Sequence, residues 1–197
     1  RGGFSMKLAL REQILIALFA ALTAIGAFIQ IPTPLVPFTL QYLFCAYSGV
    51  MLGSKKGLYA QLLYVGIGLI GIPIFTKGGG PSYVLQPTFG YLLGFIGCAY
   101  VVGLLTERQE KLRLVPTFLA LLAGLAVLYA AGVLYLYGIV NFYLGKSMSM
   151  QGAVAAGFLP YITADLILSF LVAVTSLKVV PILRRTGLMP EAVSKSA

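Results

Sequence analysis

A chain of 197 residues in which AVILMFWYC make up 59% and charged residues only 10% cannot be covered by water, because soluble domains average roughly 25% charged residues. The composition therefore belongs in a bilayer and leaves no room for a separate soluble domain. A net charge of +9, from 14 Lys+Arg against 5 Asp+Glu, together with the absence of histidine, fits the basic cytoplasmic loops of a membrane protein better than nucleic-acid binding, and argues against a zinc site or a histidine-based catalytic pair.

At roughly 20 apolar residues per span, the hydrophobic share supports about five to seven helices. Arg1 to Ser5 precedes Met6 and reads as an expression remnant, residues 6–186 as a single membrane domain, and residues 187–197 as a flexible tail. The first apolar run, Leu8 to Ile29, carries small residues four apart, Ala17 with Ala21 and Ala20 with Ala24. Each pair shares a helix face that permits close approach, either of a helix of the same chain or of a separate membrane partner. Pro32, Pro34 and Pro37 then forbid helix and predict a stiff extended segment over 30–38. The second run ends at Leu52 and is short for a span. Its start lies deep, with the proline segment folded over it, or it tilts little.

The third run, Leu58 to Ile70, leads into a long Gly/Pro-rich connection, GIPIFTKGGGPSYVLQP, over 71–87. Loops of this length inside a compact fold are usually functional, although a flexible hairpin without a ligand has the same composition. The fourth run covers about Thr88 to Leu105, where Gly90, Gly94 and Gly97 predict a close helix crossing. The fifth covers Val115 to about Val140, and a polar connection follows from Asn141 to Gln151. The sixth ends near Leu183, with Pro160 either starting or kinking its main helix. Cys45 and Cys98 each lie in an apolar run and read as small core residues.

Six alternating helices put Arg1, Lys7, Arg11, Lys55, Lys56, Arg108, Lys111, Arg113, Lys178, Arg184, Arg185 and Lys195 on one side and leave Lys77 and Lys146 on the other. The positive-inside rule then assigns both termini to the cytoplasm, and the proline segment, the glycine loop and the start of the sixth helix to the outside. The expected fold is an all-α integral membrane protein of six transmembrane helices, multi-pass in the cell membrane.

Among the acids, Glu12, Glu107, Glu110 and Glu191 sit in charged interfacial neighbourhoods. Asp165, in YITADLILSF, does not. A mid-helix carboxylate costs roughly 2.5–3.5 kcal/mol on insertion scales and usually faces a cavity or a partner. Counted from Pro160, it lies about 7–8 Å into the helix, just beneath the outer loops. It is either an acceptor for ligand N–H groups, or a structural group paired with Lys77, Lys146 or a tyrosine. Tyr161 and Ser169 share its face. Lys77 either attracts an anionic group or is a solvated loop lysine. Gly79 and Gly80 let the loop backbone approach a ligand. Tyr83, Tyr91 and Phe95 form an aromatic wall or simply pack. Gln41, Gln86 and Thr88 add uncharged hydrogen-bonding groups, and Asn141 ends the fifth helix.

The proline segment leading into VPFTLQ (Val36–Gln41), the GIPIF…GGG…YVLQPTFGYLLGF stretch and the aspartate early in the sixth helix resemble the BioY family, the substrate-binding S components of energy-coupling-factor (ECF) biotin transporters. The resemblance covers nearly the whole chain from Met6. It implies a six-helix S-component fold that captures biotin from outside and a partner ECF module of one transmembrane T subunit and two cytoplasmic ATPases. It also implies docking through the alanine-rich first helix, and no cofactor. Many relatives carry a lysine three residues after the aspartate, where this sequence has Leu168. The partner of the biotin carboxylate is thereby left open, with Lys77 as the candidate. No Walker A pattern occurs, so ATP is used by another chain. An S component for another small vitamin and a stand-alone secondary transporter are the alternatives. An intramembrane enzyme is disfavoured by a single isolated acid.

Overall fold

The computed structural model describes residues 10–187. In chain order it contains α1 (Leu10–Phe28), β1 (Gln30–Ile31), β2 (Phe38–Thr39), α2 (Gln41–Leu52), α3 (Ser54–Leu69), a 3-10 turn (Pro81–Leu85), α4 (Phe89–Glu107) and α5 (Leu114–Gly138). A π turn (Ile139–Tyr143), α6 (Met150–Gly157) and α7 (Leu159–Arg185) complete it. Residues 1–9 and 188–197, which include the expected remnant, nearly all of the expected tail, Glu191 and Lys195, lie outside the described residues.

Among the described residues four helices, α1, α4, α5 with its π extension, and α7, are long and apolar enough to cross a membrane. At 1.5 Å per residue α2 and α3 reach only about 18 and 24 Å, short of a hydrocarbon core of about 30 Å. The reason is local. The prolines delay helix until Gln41, whose side chain is already buried, so the start of α2 does lie deep. Gly53, at φ +81°, ends α2 and lets α3 begin at the next residue. Gly53 provides no side-chain cap for α3. The cap comes from α4 instead: the Glu107 carboxylate accepts the Ser54 N–H at 2.9 Å and the Ser54 hydroxyl at 2.9 Å. An anion at a helix N-terminus is favourable.

The proline segment is extended, as expected, but its ends pair. Gln30 faces Thr39 and Ile31 faces Phe38 in a two-stranded antiparallel hairpin. The Leu40 N–H donates to the carbonyls of Gly26 and Ile29, at 3.1 and 3.2 Å, which stitches the hairpin to the end of α1. Pro160 starts α7 rather than kinking it, and α6 stands apart as a short helix capped by Ser149. Asn141 organises the link between α5 and α6, donating to the carbonyls of Tyr137 and Met148 and accepting the Met148 N–H.

Small residues bring α4 against both neighbours. A Cβ at Gly90 would lie 2.2 Å from Tyr135 Cβ, and one at Gly94 2.8 Å from the Leu128 carbonyl. The expected glycine crossing is thus the α4–α5 interface. The largest fully buried side chains include Tyr64, Phe75, Leu121 and Leu136, whereas Leu119, Leu134, Ile167 and Phe170 point outward, as lipid-facing residues do. One end of the bundle gathers the charged contacts: Lys56 with Glu12 at 2.5 Å, Ser54 with Glu107, and Arg184 with the Glu110 carbonyl at 3.5 Å. The hairpin, the glycine loop and α6 lie at the other.

Gly103 tests the packing. A Cβ there would fall 2.3–2.5 Å from backbone atoms of Gly53 and Ser54, which cannot move as a side-chain tip can. Gly103→Ala is expected to cost about 1–3 kcal/mol and to lower the melting temperature in detergent by several degrees. Gly66→Ala, where a Cβ meets nothing within 4 Å, is expected to melt with the parent.

Candidate ligand-binding site

A cavity opens at the end away from the charged contacts. The hairpin contributes Val36 to Thr39, the start of α2 gives Gln41 and Tyr42, and the glycine loop gives Thr76 and Tyr83. Thr88, Tyr91, Leu92 and Phe95 come from the start of α4, Leu128 and Tyr129 from α5, and Tyr161 and Asp165 from α7. The wall is aromatic and more apolar than polar, five tyrosines and three threonines bring hydroxyls to it, and one carboxylate is set into it.

Asp165 is only 6% exposed. One of its oxygens, Oδ2, accepts the Tyr129 hydroxyl. Its structural partner is therefore a tyrosine rather than Lys77 or Lys146. Below it the Ser169 hydroxyl donates to the Asp165 main-chain carbonyl at 2.7 Å, and the Tyr42 hydroxyl lies 2.6 Å from Ser169 Oγ. Since the serine proton is committed, Tyr42 is the donor of that pair.

The remaining polar groups tie the hairpin and the glycine loop to the helices. Gln41 Nε2 donates to the Tyr64 hydroxyl at 2.8 Å, while Gln41 Oε1 accepts from Thr39 at 2.9 Å. Tyr64 in turn donates to the Ile74 carbonyl at 2.9 Å. One chain of bonds thus runs from hairpin to α2 to α3 to glycine loop. Tyr83 bridges Thr76 and Thr88, 3.0 Å from each hydroxyl. Tyr91 donates to the Gly157 carbonyl at 2.7 Å. Tyr161 and Thr33 both donate to the Val36 carbonyl.

The structure thus brings together Asp165, Gln41, Tyr83, Thr88, Tyr91 and Tyr161, with Phe95. It leaves Lys77, Gly79, Gly80 and Gln86 off the cavity wall. Lys77 is exposed. Gly79 and Gly80 shape the loop instead: a Cβ at Gly79 would strike the Ile72 carbonyl at 2.3 Å, and Gly80, at φ +102°, donates its N–H to the Gly68 carbonyl at 2.7 Å. Gln86 closes the 3-10 turn through its backbone N–H to Tyr83. Of the four alanines on α1, Ala17 and Ala21 lie on the surface, whereas Ala20 is buried in the core and Ala24 packs against it.

Sequence reasoning missed Tyr42, Tyr129, Leu128 and Thr76. Tyr129 is one of several tyrosines in a Leu/Ala-rich run. Only the need of a lone acid for a partner hints at it.

The Val36 carbonyl is the hairpin's tie to α7. Tyr161→Phe removes one of its donors, a net loss of about 1 kcal/mol. Amide exchange over Leu35–Phe38 is expected to quicken about threefold to tenfold, with the melting temperature nearly unchanged. No change in exchange would show that the Tyr161 hydroxyl does not hold this segment.

Residues 4–185 match the family described as BioY. A probable biotin transporter BioY from Lysinibacillus sphaericus is 49% identical over 156 residues, 79% of this chain and 80% of that one. The biotin transporter BioY of Thermotoga maritima is 39% identical over 171 residues, 86% of this chain and 95% of the relative. The solved S-component for biotin from an ECF-type ABC transporter shares the fold, with a TM-score of 0.75 over 98% of this chain and 97% of that one, at 20% identity.

Proposed function

From the premise that this chain belongs to the BioY family, we propose that it is the biotin-binding S component of an ECF-type uptake transporter, a binding subunit rather than an enzyme. The observation that carries the reading is the lone carboxylate of Asp165 set in an aromatic cavity between the hairpin and the glycine loop. The ureido ring of biotin offers two N–H donors and one carbonyl. A carboxylate accepts the former, and the apolar wall of Tyr91, Leu92, Phe95 and Leu128 suits the thiophane ring and the aliphatic tail. Gln41 is the candidate donor to the ureido carbonyl. Lys77, outside the wall, is the candidate that draws the anionic tail toward the mouth.

The membrane orientation follows from charge. Six crossings, α1 to α5 and α7, leave Arg11, Lys55, Lys56, Arg108, Lys111, Arg113, Lys178, Arg184 and Arg185 at one end, and Lys77 and Lys146 at the other. By the positive-inside rule the first end and both termini are cytoplasmic, and the cavity opens outward. The hairpin and the glycine loop are the elements that close over the ligand. The partner is an ECF module, a transmembrane T subunit with two cytoplasmic ATPases. The surface alanines Ala17 and Ala21 give α1 the flat face on which another helix can dock.

Equilibrium binding of biotin to the purified chain in detergent tests this. Excess thiamine or riboflavin is expected not to displace biotin. Asp165→Asn is expected to weaken it about tenfold to a hundredfold, the range for hydrogen bonds to a charged group. Bound biotin is expected to slow proteolysis within 71–87. Parent-like affinity in Asp165→Asn, or cleavage indifferent to biotin, would contradict the reading.

A further inference from the structure

We propose that Tyr129 is the positioning residue of the binding site, fixing the orientation in which Asp165 meets ligand N–H groups. The proposal rests on the ligand role of Asp165 argued above.

The phenol is held on two sides by edge-on rings. Phe158 lies at a centroid distance of 4.9 Å and an angle of 89°, and Tyr91 at 6.4 Å and 88°. Its ring is therefore fixed by α4 and by the residue just ahead of α7, while its own helix is α5. From that fixed ring the hydroxyl donates to Asp165 Oδ2. The other oxygen, Oδ1, makes no hydrogen bond to protein among the described residues, yet it is not among the sealed, unpartnered polar atoms. It faces the cavity that Asp165 lines. One oxygen is held and one is presented.

Proton accounting sharpens the consequence. Tyr129 gives its only hydroxyl proton to Asp165, Tyr91 to the Gly157 carbonyl, and Tyr42 to Ser169, whose own proton goes to the Asp165 carbonyl. This part of the wall has no hydroxyl proton left to donate. It accepts, and so reads the donor edge of a ligand. Without the Tyr129 hydroxyl the carboxylate loses both its orientation and the one bond that offsets its burial.

The test is a double-mutant cycle on the full-length protein: parent, Tyr129→Phe, Asp165→Asn and the double variant. It is read by radiolabelled biotin affinity and by the melting temperature of the ligand-free protein. Phe keeps the ring and its edge-on contacts. Tyr129→Phe is expected to weaken biotin at least tenfold in the parent background and less than threefold in the Asp165→Asn background, with a matching loss of additivity in melting temperature. That non-additivity is a signature a merely space-filling tyrosine would not give. If Asp165→Asn abolishes measurable binding, the tenfold loss in Tyr129→Phe and the melting cycle still decide. Parent-like affinity in Tyr129→Phe, or equal penalties in both backgrounds, overturns the proposal. Parent-like affinity in Asp165→Asn instead overturns the ligand role of Asp165.

Discussion

A carboxylate among apolar helices persists only where something offsets its lost hydration, and Asp165 is the place where this chain meets that constraint. Its side chain is 6% exposed in a helix with no other acid or base within ten residues on either side. The cost of such a residue, roughly 2.5–3.5 kcal/mol on insertion scales, is borne by the Tyr129 hydroxyl across the α5–α7 contact and by a cavity that gives the second oxygen access. The surrounding sequence is arranged to keep both. Ser169 and Tyr42 secure the backbone of the helix one turn on, and Phe158 and Tyr91 secure the ring of Tyr129.

The cavity exists because α2 starts late. If α2 began where β1 does, it would fill the space that Val36 to Thr39 now line. The three prolines prevent this, and the hairpin they leave places backbone where a helix would have placed side chains. Backbone groups outside the helices are settled with side chains: in the hairpin the Val36 carbonyl accepts from Tyr161 and Thr33, and in the glycine loop the Ile74 carbonyl accepts from Tyr64. Buried non-helical backbone in a membrane protein is tolerated only on such terms, inside protein or beside a cavity.

This explains what the sequence could and could not convey. Asp165 was legible because a single acid in an apolar run has no bland surroundings to hide in, and the α4–α5 crossing because Gly90 and Gly94 repeat at helix spacing. Tyr83, Thr88, Tyr91 and Tyr161 were legible by sharing a stripe or a loop with those features. Tyr129 was not, since an aromatic in an apolar helix is most often packing and only the fold reveals which helix faces Asp165. The glycine loop misled in one respect. Its glycines suggested backbone against a ligand, but Gly79 has the Ile72 carbonyl where a side chain would be, and Gly80 has the φ that turns the chain. Gly-rich composition signals a tight path without saying what lies beside it.

The two ends of the bundle are held by different chemistry, and the difference bears on motion. At one end the ties are ionic or charge-assisted: Lys56 to Glu12, Ser54 to Glu107. Hydrogen bonds involving a charged group are worth about twice neutral ones. At the cavity end the ties that hold the hairpin and the glycine loop are neutral. Gln30 reaches the Thr76 carbonyl at 3.5 Å, Tyr64 reaches Ile74, Tyr135 reaches the Val84 carbonyl, and Tyr83 joins Thr76 to Thr88. Each neutral bond contributes only about 1 kcal/mol net, and each has a hydroxyl or amide that can turn to a new partner. Local opening concentrates where such ties are few and replaceable. The neutral ties of the hairpin and glycine loop are thus individually weaker than the charge-assisted ties that join α3 to α1 and α4 at the other end.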